Sequence, residues 1–415
     1  MWNTDYQDRA PESRPPQWEE SSTPEESDSS LMRSGPFHRF QQTLHLEDRL
    51  NPRTAPRAIL FALVSWLPLA ALAAVQGLAI NEDPRRSLLL DFSVYARFLV
   101  AVPLFIIGES VADRRYSMIV NYLLRSGIVP DSERHAYDNL LSGMWRLRDS
   151  RVVEILWALL AYVGAFLSVY YRAMSEQPTW LEDGSVGLSP LSWAGWWYAA
   201  VSLPLFQFLF YRSIWSWLLW VWFLWRLSRF RLRLTPTHPD LAGGLNILGD
   251  SPYAIAVLVF AISSVLSAAL IMQVGYEGAS VAIYHKVFAV YLLFAMMISF
   301  CPLLIFLGKL DRLRQLGLRD YGTLASRYAQ LFDEKWIKGA TVTDDTVVNP
   351  LGSPDISSLS GLKASYETVK RMRFFPFGVR ALVVIAAAAL IPMVPLILME
   401  FPFRDVVKAI AGFII

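Results

Sequence analysis

Cysteine is almost absent from this sequence, because Cys301 is the single thiol among 415 residues. One thiol cannot form a disulfide within the chain or provide a cysteine-based metal cluster, so both kinds of site are excluded. Cys301 lies inside an apolar block, where we interpret it as a residue that packs between helices. We therefore expect no disulfide framework, no metal centre and no other cofactor.

Charge is also scarce, since charged residues make up 18% of the sequence and the formal net charge is +2. A chain with so little net positive charge lacks the field that attracts nucleic acid, so we expect no nucleic-acid partner. Hydrophobic residues make up 54% of the sequence, which is more than a soluble domain usually carries. This composition predicts a protein whose apolar surface faces lipid.

Recognisable catalytic motifs are missing as well. The sequence contains no HExxH, no Gly-x-Ser-x-Gly and no Walker A motif, and it has no cluster of histidine and cysteine. We therefore assign no catalytic residue and no metal ligand. The lack of a nucleotide-binding motif also excludes a nucleotide-driven pump built from this chain alone.

Apolar blocks of about 20 residues alternate with charged segments, which is the pattern of helices matched to a hydrocarbon core of roughly 30 Å. The sequence therefore predicts an all-α fold, a polytopic transmembrane helical bundle of about seven spans with cytoplasmic amphipathic helices. The predicted spans are 58–80, 92–112, 152–171, 191–228, 253–275, 283–308 and 381–402.

The block 191–228 is too long for one upright span, so it fits either two short crossings or one long tilted helix. Basic residues decide between these, because they accumulate in cytoplasmic loops. Seven Arg precede the first span, seven lie in 114–151, four in 226–233, and twelve Lys or Arg in 309–380. These segments share one side only if 191–228 crosses once, which predicts seven spans and a cytoplasmic N-terminus.

This topology divides the chain into six segments. Apolar residues spaced three and four apart predict amphipathic helices in two of the cytoplasmic segments. The segments are 1–36, a disordered acidic tail; 37–112, a juxtamembrane segment with the first two spans; 113–151, a cytoplasmic helical pair; 152–309, the central spans, including the loop 229–250; 310–380, a cytoplasmic helical segment; and 381–415, the last span with a C-terminal amphipathic segment.

Two arginines lie deep inside predicted spans, where a charge costs about 2.5 to 3.5 kcal/mol on insertion scales. Arg97 has no carboxylate within four residues, so we expect its counter-charge or carbonyl partner on another helix. Arg212 lies in a Trp-rich stretch, where cation–π contacts are available. Both are candidates for a binding site or pathway, and the alternative is that each stabilises helix packing. Glu109 is near a span end, so we expect it at the membrane interface.

Prolines interrupt several of the predicted spans. They release backbone carbonyls that must face protein or water, and discontinuous helices of this kind line many transporter sites. The pattern therefore favours an internal path. These residues are Pro103, Pro204, Pro302, Pro392 and Pro395.

The loop 229–250 holds the densest local motif. In its first half Arg229, Arg231 and Arg233 alternate with apolar residues. Such a pattern at the cytoplasmic membrane surface suits anionic lipid headgroups. We therefore predict that these three arginines contact anionic lipid.

The second half of the loop reads Thr-His-Pro-Asp-Leu-Ala-Gly-Gly-Leu. Pro239 fixes φ, while Gly243 and Gly244 allow positive φ, so the motif predicts a structural turn. His238 and Asp240 could instead hold a metal or relay a proton. Two ligands are too few for a dedicated metal site, which favours the turn.

At this motif, and at Ser353-Pro354-Asp355-Ile356, the chain resembles a group of uncharacterised bacterial multi-pass membrane proteins. The resemblance covers most of residues 55–400 and excludes the acidic tail. It implies a location in the bacterial inner membrane, and it implies no particular activity.

Three classes of function remain open. The number of spans, Arg97 and the prolines favour a channel or transporter for a small solute or ion. The cytoplasmic helices and the acidic tail favour a non-catalytic assembly or regulatory component, bound to an unidentified membrane subunit or to a second copy in a homo-oligomer. A membrane-embedded enzyme is the third class, which the missing motifs disfavour. In each case the lipid bilayer is a partner.

Overall fold

The computed structural model describes residues 54–174, 179–182, 191–277, 284–338 and 354–400. Within these ranges the chain is helical and contains no β-strand, apart from one isolated bridge between Glu182 and Leu191. The predicted all-α fold is therefore confirmed. The predicted acidic tail 1–36 and the terminal residues 401–415 lie outside the described residues.

Ten helices make up the described part of the chain. The first five are α1, Thr54–Val75; α2, Phe92–Arg125; α3, Asp131–Arg148; α4, Arg151–Met174; and α5, 193–227. The next five are α6, Ser251–Glu277; α7, His285–Leu304; α8, Leu307–Phe332; α9, Pro354–Lys370; and α10, Val379–Leu390, which a 3₁₀ turn joins to Val394–Glu400. The described residues contain three π-helical turns, Ala96–Ala101 in α2, Tyr198–Ser202 in α5, and Asp333–Lys338, which continues α8.

Six helical segments in the described ranges are long and apolar enough to cross a membrane, so the chain is a multi-pass integral membrane protein. Each coincides with one of the predicted spans. The segments are Thr54–Val75, Phe92–Arg125, Arg151–Arg172, Asn246–Tyr276, Lys286–Leu304 and Val379–Met399.

The predicted span 191–228 is α5, which is not among those six, because its tryptophans, Gln207 and Arg212 lower its hydropathy. The backbone stays helical through both joints of α5, since Tyr198 and Leu203 have right-handed helical φ and ψ. At about 1.5 Å per residue the helix is roughly 52 Å long, well beyond a hydrocarbon core of about 30 Å. An unbroken helix does not fit two short crossings.

Connecting segments meet at two opposite ends of the bundle. One end, here called the Trp180 end, contains residues 76–91, 179–182 and 276. There the backbone N–H of Ala194 donates to Gln76 over 3.3 Å. Arg85 donates to the carbonyl of Tyr276 over 3.0 Å. The first turn of α5 belongs to this end.

The other end, here called the motif-loop end, contains residues 126–130, 229–250 and 369–378. The N–H of Arg233 donates to the carbonyl of Ile128 over 2.8 Å. The N–H of Arg373 donates to the carbonyl of Leu241 over 2.7 Å. The last turn of α5 lies here, so this helix runs the whole length of the bundle.

The predicted cytoplasmic helices lie at the motif-loop end. The helix expected at 113–126 is the continuation of α2, without a break at residue 112, and the helix expected at 132–148 is α3. Tyr137 of α3 is buried edge-on against Phe223 of α5. Tyr116 and Trp220 stack beside them with centroids 4.0 Å apart. Because lipid supplies no hydrophobic drive between helices, close packing of this kind holds the bundle together.

The interpretation of Cys301 as a packing residue is wrong. Its side chain is exposed on α7, while the neighbouring Ser299 and Phe300 are buried. Successive residues on a helix point in directions about 100° apart, so one apolar run supplies both the packed face and the lipid-facing face. Apolar surroundings in sequence therefore did not identify which face carries the thiol.

Candidate functional site

Helices α2 and α5 each contain one π-helical turn directly before a proline. In α2 the carbonyl of Arg97 accepts a hydrogen bond from the N–H five residues later, and Pro103 comes next. In α5 the carbonyl of Tyr198 does the same, and Pro204 comes next. Proline has no N–H, and its ring presses on the carbonyl four residues earlier, so the helix widens ahead of it. Such turns are frequent at functional sites.

Arg97 and Tyr198 join the two π-turns. Arg97 donates from Nη1 to the hydroxyl oxygen of Tyr198 over 2.8 Å. The Tyr198 ring is 2% exposed, and the rings of Phe98 and Trp180 pack edge-on against it. Arg97 therefore has its partner on another helix, as expected, but this partner is a phenol hydroxyl rather than a carboxylate or a carbonyl.

A cavity of about 210 Å³ opens beside this contact at the Trp180 end. We call it the Arg97 cavity. Its polar lining includes three arginines and one carboxylate, together with neutral hydrogen-bonding groups. These are Arg85, Asp91, Ser93, Arg97, Arg172 and Gln273.

The carboxylate of Asp91 is buried and held by three donors. Its Oδ1 accepts from the N–H of Ser93 over 3.0 Å and from the Ser93 hydroxyl over 2.5 Å. Its Oδ2 accepts from the indole Nε1 of Trp180 over 3.1 Å. Asp91 thereby fixes Trp180, which in turn packs on Tyr198.

A second cavity, of about 70 Å³, lies toward the motif-loop end between α2, α4, α5 and α6. We call it the Arg212 cavity. Arg212 and Glu109 form an ion pair in its wall, with side chains 16% and 20% exposed. The expectation that Glu109 sits at the interface missed this pairing. Trp157 and Trp215, whose rings are 6.0 Å apart, line the same wall.

Arg148, at the end of α3, also lines the Arg212 cavity. Its Nε donates to Asp149 over 3.2 Å. Burial lowers the pKa of Arg148, while the carboxylates of Asp149, Asp113 and Glu109 act in the opposite direction. An arginine remains protonated under such conditions, so the cavity wall carries fixed charges of both signs.

A buried apolar layer separates the two cavities. Phe98, Val102 and Phe105 of α2 are buried in it, and about 18 Å of helix separates Arg97 from Glu109. Other buried members of the same apolar cluster lie on α2, α4, α5 and α6, among them Ala101, Ala165, Leu203 and Ala261.

One polar side chain, Gln207 of α5, lies at the level of this layer. Its Oε1 is buried and has no hydrogen-bond partner among the described residues. It contacts the backbone of α4 at Gly164, where an added Cβ would lie 2.5 Å from that oxygen. A buried acceptor without a donor costs about 1 to 3 kcal/mol. Gln207 therefore marks a polar position in the middle of the bundle.

In the loop 229–250, Asp240 organises the turn. Its Oδ1 accepts from the N–H groups of Ala242 and Gly244 over 2.8 and 3.1 Å. Its Oδ2 accepts from the N–H of Asn246 over 3.1 Å. His238 Nδ1 lies 2.8 Å from Oδ1. Burial acts to raise the pKa of Asp240, but the three amides and His238 hold that pKa below its usual range.

The glycines of the loop fit against two other segments. Gly243 and Gly244 have φ of +64° and +99°. An added Cβ at Gly243 would lie 2.7 Å from Leu313 of α8, and one at Gly244 would lie 2.9 Å from Ile128. The turn therefore packs against both α8 and the α2–α3 connection. Pro239, in the same turn, is exposed.

The remaining candidates of the loop are less enclosed. Arg229, Arg231 and Arg233 are exposed, and Arg229 lies over the Trp225 ring at 3.9 Å. His238 and Asp240 come together, but no third His, Cys, Asp or Glu joins them within the described ranges.

Sequence reasoning named Arg97 and Arg212 as candidates and expected Glu109 at the interface, but it did not single out Tyr198 or Trp180. One signal was available for Tyr198. Arg97 and Tyr198 each lie six residues before a proline inside an apolar block. Comparison with family models, with curated proteins and with solved structures finds no match for this chain.

Proposed function

We propose that this membrane protein is a channel or transporter for a small solute or ion. The observation that carries the proposal is a pair of cavities near opposite ends of the same three helices, α2, α4 and α6. An apolar layer lies between them. Membrane proteins keep charged groups at depth mainly where those groups face a cavity or a path, and both charged clusters here line cavities.

In this proposal the apolar layer is the closed gate, and the π-turns are where it opens. Each π-turn leaves its helix without regular bonding beside a proline, so the helix can shift there at lower cost than at a regular turn. The hydrogen bond between Arg97 and Tyr198 ties the two turns together. Gln207 offers one polar contact to a solute that passes the layer.

We further propose that the protein lies in a bacterial inner membrane with its N-terminus in the cytoplasm. The described basic residues of 114–151, 226–233 and 309–380 lie mostly toward the motif-loop end, and cytoplasmic loops are rich in Lys and Arg. The Arg97 cavity would then face outward and the Arg212 cavity inward. Arg229, Arg231 and Arg233, all exposed at the motif-loop end, would contact anionic lipid headgroups.

Flux into proteoliposomes tests the transport proposal. The probes are sodium phosphate, sodium succinate and glycerol, each followed by stopped-flow light scattering during an osmotic jump. We expect the protein to accelerate entry of at least one probe, and Arg97→Gln to abolish the acceleration. Arg86→Gln is the matched control, because Arg86 is an exposed neighbour of Arg85 that does not line the cavity. Protein-free rates for all three probes would count against transport.

A role as an assembly component is the second candidate, and one feature favours it. Helices α8 and α9 pack against each other, yet they leave apolar side chains exposed. Leu324, Leu331, Ile337 and Ile356 are between 41% and 67% exposed. Leu331→Ser should then release a co-purifying subunit or a second copy. If Leu331→Ser co-purifies with the same subunit as the wild type, or if the wild type co-purifies with none, transport is the better explanation.

A further inference from the structure

We propose that the Arg97 cavity binds an oxyanion, meaning a carboxylate or phosphate group, with Arg97 as the residue that selects for negative charge. This inference rests on the transport proposal for the place of the cavity, and it adds the chemical class of the solute. Its evidence is the absence of an ion pair at Arg97 among the described residues, the geometry of Arg97 and the shape of the site.

Among the described residues, Arg97 forms no ion pair with a carboxylate of the cavity lining. Arg85, Arg97 and Arg172 lie in this lining together with the carboxylate of Asp91. Asp91 already accepts three hydrogen bonds, two of them from Ser93 and one from Trp180. It is therefore a structural anchor for Trp180, and the hydrogen bond of Arg97 goes to the Tyr198 hydroxyl rather than to Asp91.

The guanidinium of Arg97 keeps donors for a ligand. A guanidinium carries five N–H donors, and the hydroxyl of Tyr198 accepts from Nη1 of Arg97. This contact fixes the orientation of the planar group without neutralising it, because a phenol is uncharged at neutral pH. A fixed, charged fork suits the two oxygens of a carboxylate or phosphate.

Arg85 and Gln273 complete the site from other segments. Arg85 reaches across to the carbonyl of Tyr276 over 3.0 Å, which holds it at the mouth of the cavity. Gln273 lies one turn before Tyr276 on the same wall and can donate from its amide. Donors thus converge from the connection before α2, from α2 and from α6, whereas a site for a cation would need oxygen ligands in these places.

The oxyanion could belong to a free solute or to a phospholipid headgroup, because both present the same oxygens. A cavity of about 210 Å³ accommodates a small dicarboxylate or a phosphate group. Free anions and bound lipid are therefore the two sources that the experiment has to separate.

Thermal unfolding of the full chain in phosphatidylcholine nanodiscs tests the inference. Sodium phosphate and sodium succinate are titrated, and sodium chloride at matched ionic strength is the reference. We expect the first two to raise the unfolding temperature beyond the chloride reference. Arg97→Gln should weaken the apparent affinity roughly tenfold or more, because it removes a charged hydrogen-bond donor. Arg97→Lys should retain part of the binding, and Arg86→Gln should retain all of it.

Native mass spectrometry separates the two sources. If the ligand is a headgroup, phospholipid co-purifies with the wild type and is lost from Arg97→Gln, while added phosphate competes with it. If the ligand is a free solute, phosphate or succinate is retained and lipid is unaffected by the substitution. Either result supports an oxyanion site.

The inference is overturned if phosphate and succinate act no differently from chloride, or if Arg97→Gln binds them as the wild type does. Its failure is distinguishable from failure of the transport proposal. Anion binding without flux would support the oxyanion site and contradict the transport proposal. Flux of glycerol that is insensitive to anions would support the transport proposal and contradict the oxyanion site.

Discussion

The two ends of this bundle use polar residues in opposite ways. At the motif-loop end, the carboxylate of Asp240 accepts hydrogen bonds from backbone amides of its own loop. Gly243 and Gly244 allow that loop to pack closely against α8 and the α2–α3 connection. At the Trp180 end, Arg97 donates to Tyr198, 101 residues away, and Asp91 accepts from Trp180, 89 residues away, beside an open cavity. The densest motif in the sequence therefore holds the fold together, while scattered charges form the candidate binding site.

The largest effect on stability should come from the glycines of the motif loop. Gly244→Ala places a Cβ at a φ of +99° and 2.9 Å from Ile128. Backbone strain and overpacking together should lower the free energy of unfolding by roughly 2 to 4 kcal/mol. Chemical denaturation in detergent measures it. Gly361→Ala, in the open surroundings of α9, should instead stabilise by about 0.5 to 1 kcal/mol. Equal effects at both positions would show that the motif loop is not tightly packed against its neighbours.

Asp240→Ala should have the next largest effect, because it leaves the N–H groups of Ala242, Gly244 and Asn246 without their acceptor. We expect a loss of about 2 to 3 kcal/mol. Asp240→Asn keeps an acceptor oxygen in the same position and should lose less. If Asp240→Ala and Asp240→Asn both lose little stability, the carboxylate does not organise the loop.

The pH dependence of stability sharpens this test. The pKa of Asp240 is held below its usual range, so its contribution is present above the unfolded pKa of about 3.9 and is lost as pH falls through the folded value. The difference in unfolding temperature between wild type and Asp240→Asn should therefore shrink below about pH 4. A difference that stays constant from pH 7 to pH 3 would contradict the depressed pKa.

The smallest effect on stability should come from the Trp180 end. Tyr198→Phe removes the hydroxyl that Arg97 contacts and should cost about 0.5 to 1.5 kcal/mol. Its effect on anion affinity should be larger than its effect on stability, because it frees the guanidinium to move. Tyr162→Phe, on the exposed face of α4, should change neither property. A stability loss without a change in affinity would make the contact purely structural.

Hydropathy alone was enough to locate six of the seven predicted spans, because each apolar block must match the thickness of the bilayer whatever its neighbours are. Apolar spacing located α3 and α9 for a similar reason. The contact between Arg97 and Tyr198 could not be predicted in this way, since it joins residues 101 apart, and hydropathy contains no information on which helices are neighbours. The pairing of Glu109 could not be predicted either, because a position near a span end says nothing about Arg212 on another helix.

Cysteine accessibility tests the central claim, two cavities that open to opposite sides of one membrane. In a Cys301→Ser background, Met272→Cys places a thiol in the Arg97 cavity and Val153→Cys places one in the Arg212 cavity. A membrane-impermeant sulfonatoethyl methanethiosulfonate reagent is added to spheroplasts and to inside-out vesicles. We expect modification of Met272→Cys only in spheroplasts and of Val153→Cys only in inside-out vesicles. Modification of both thiols from the same side, or of neither from any side, would contradict a path between the cavities.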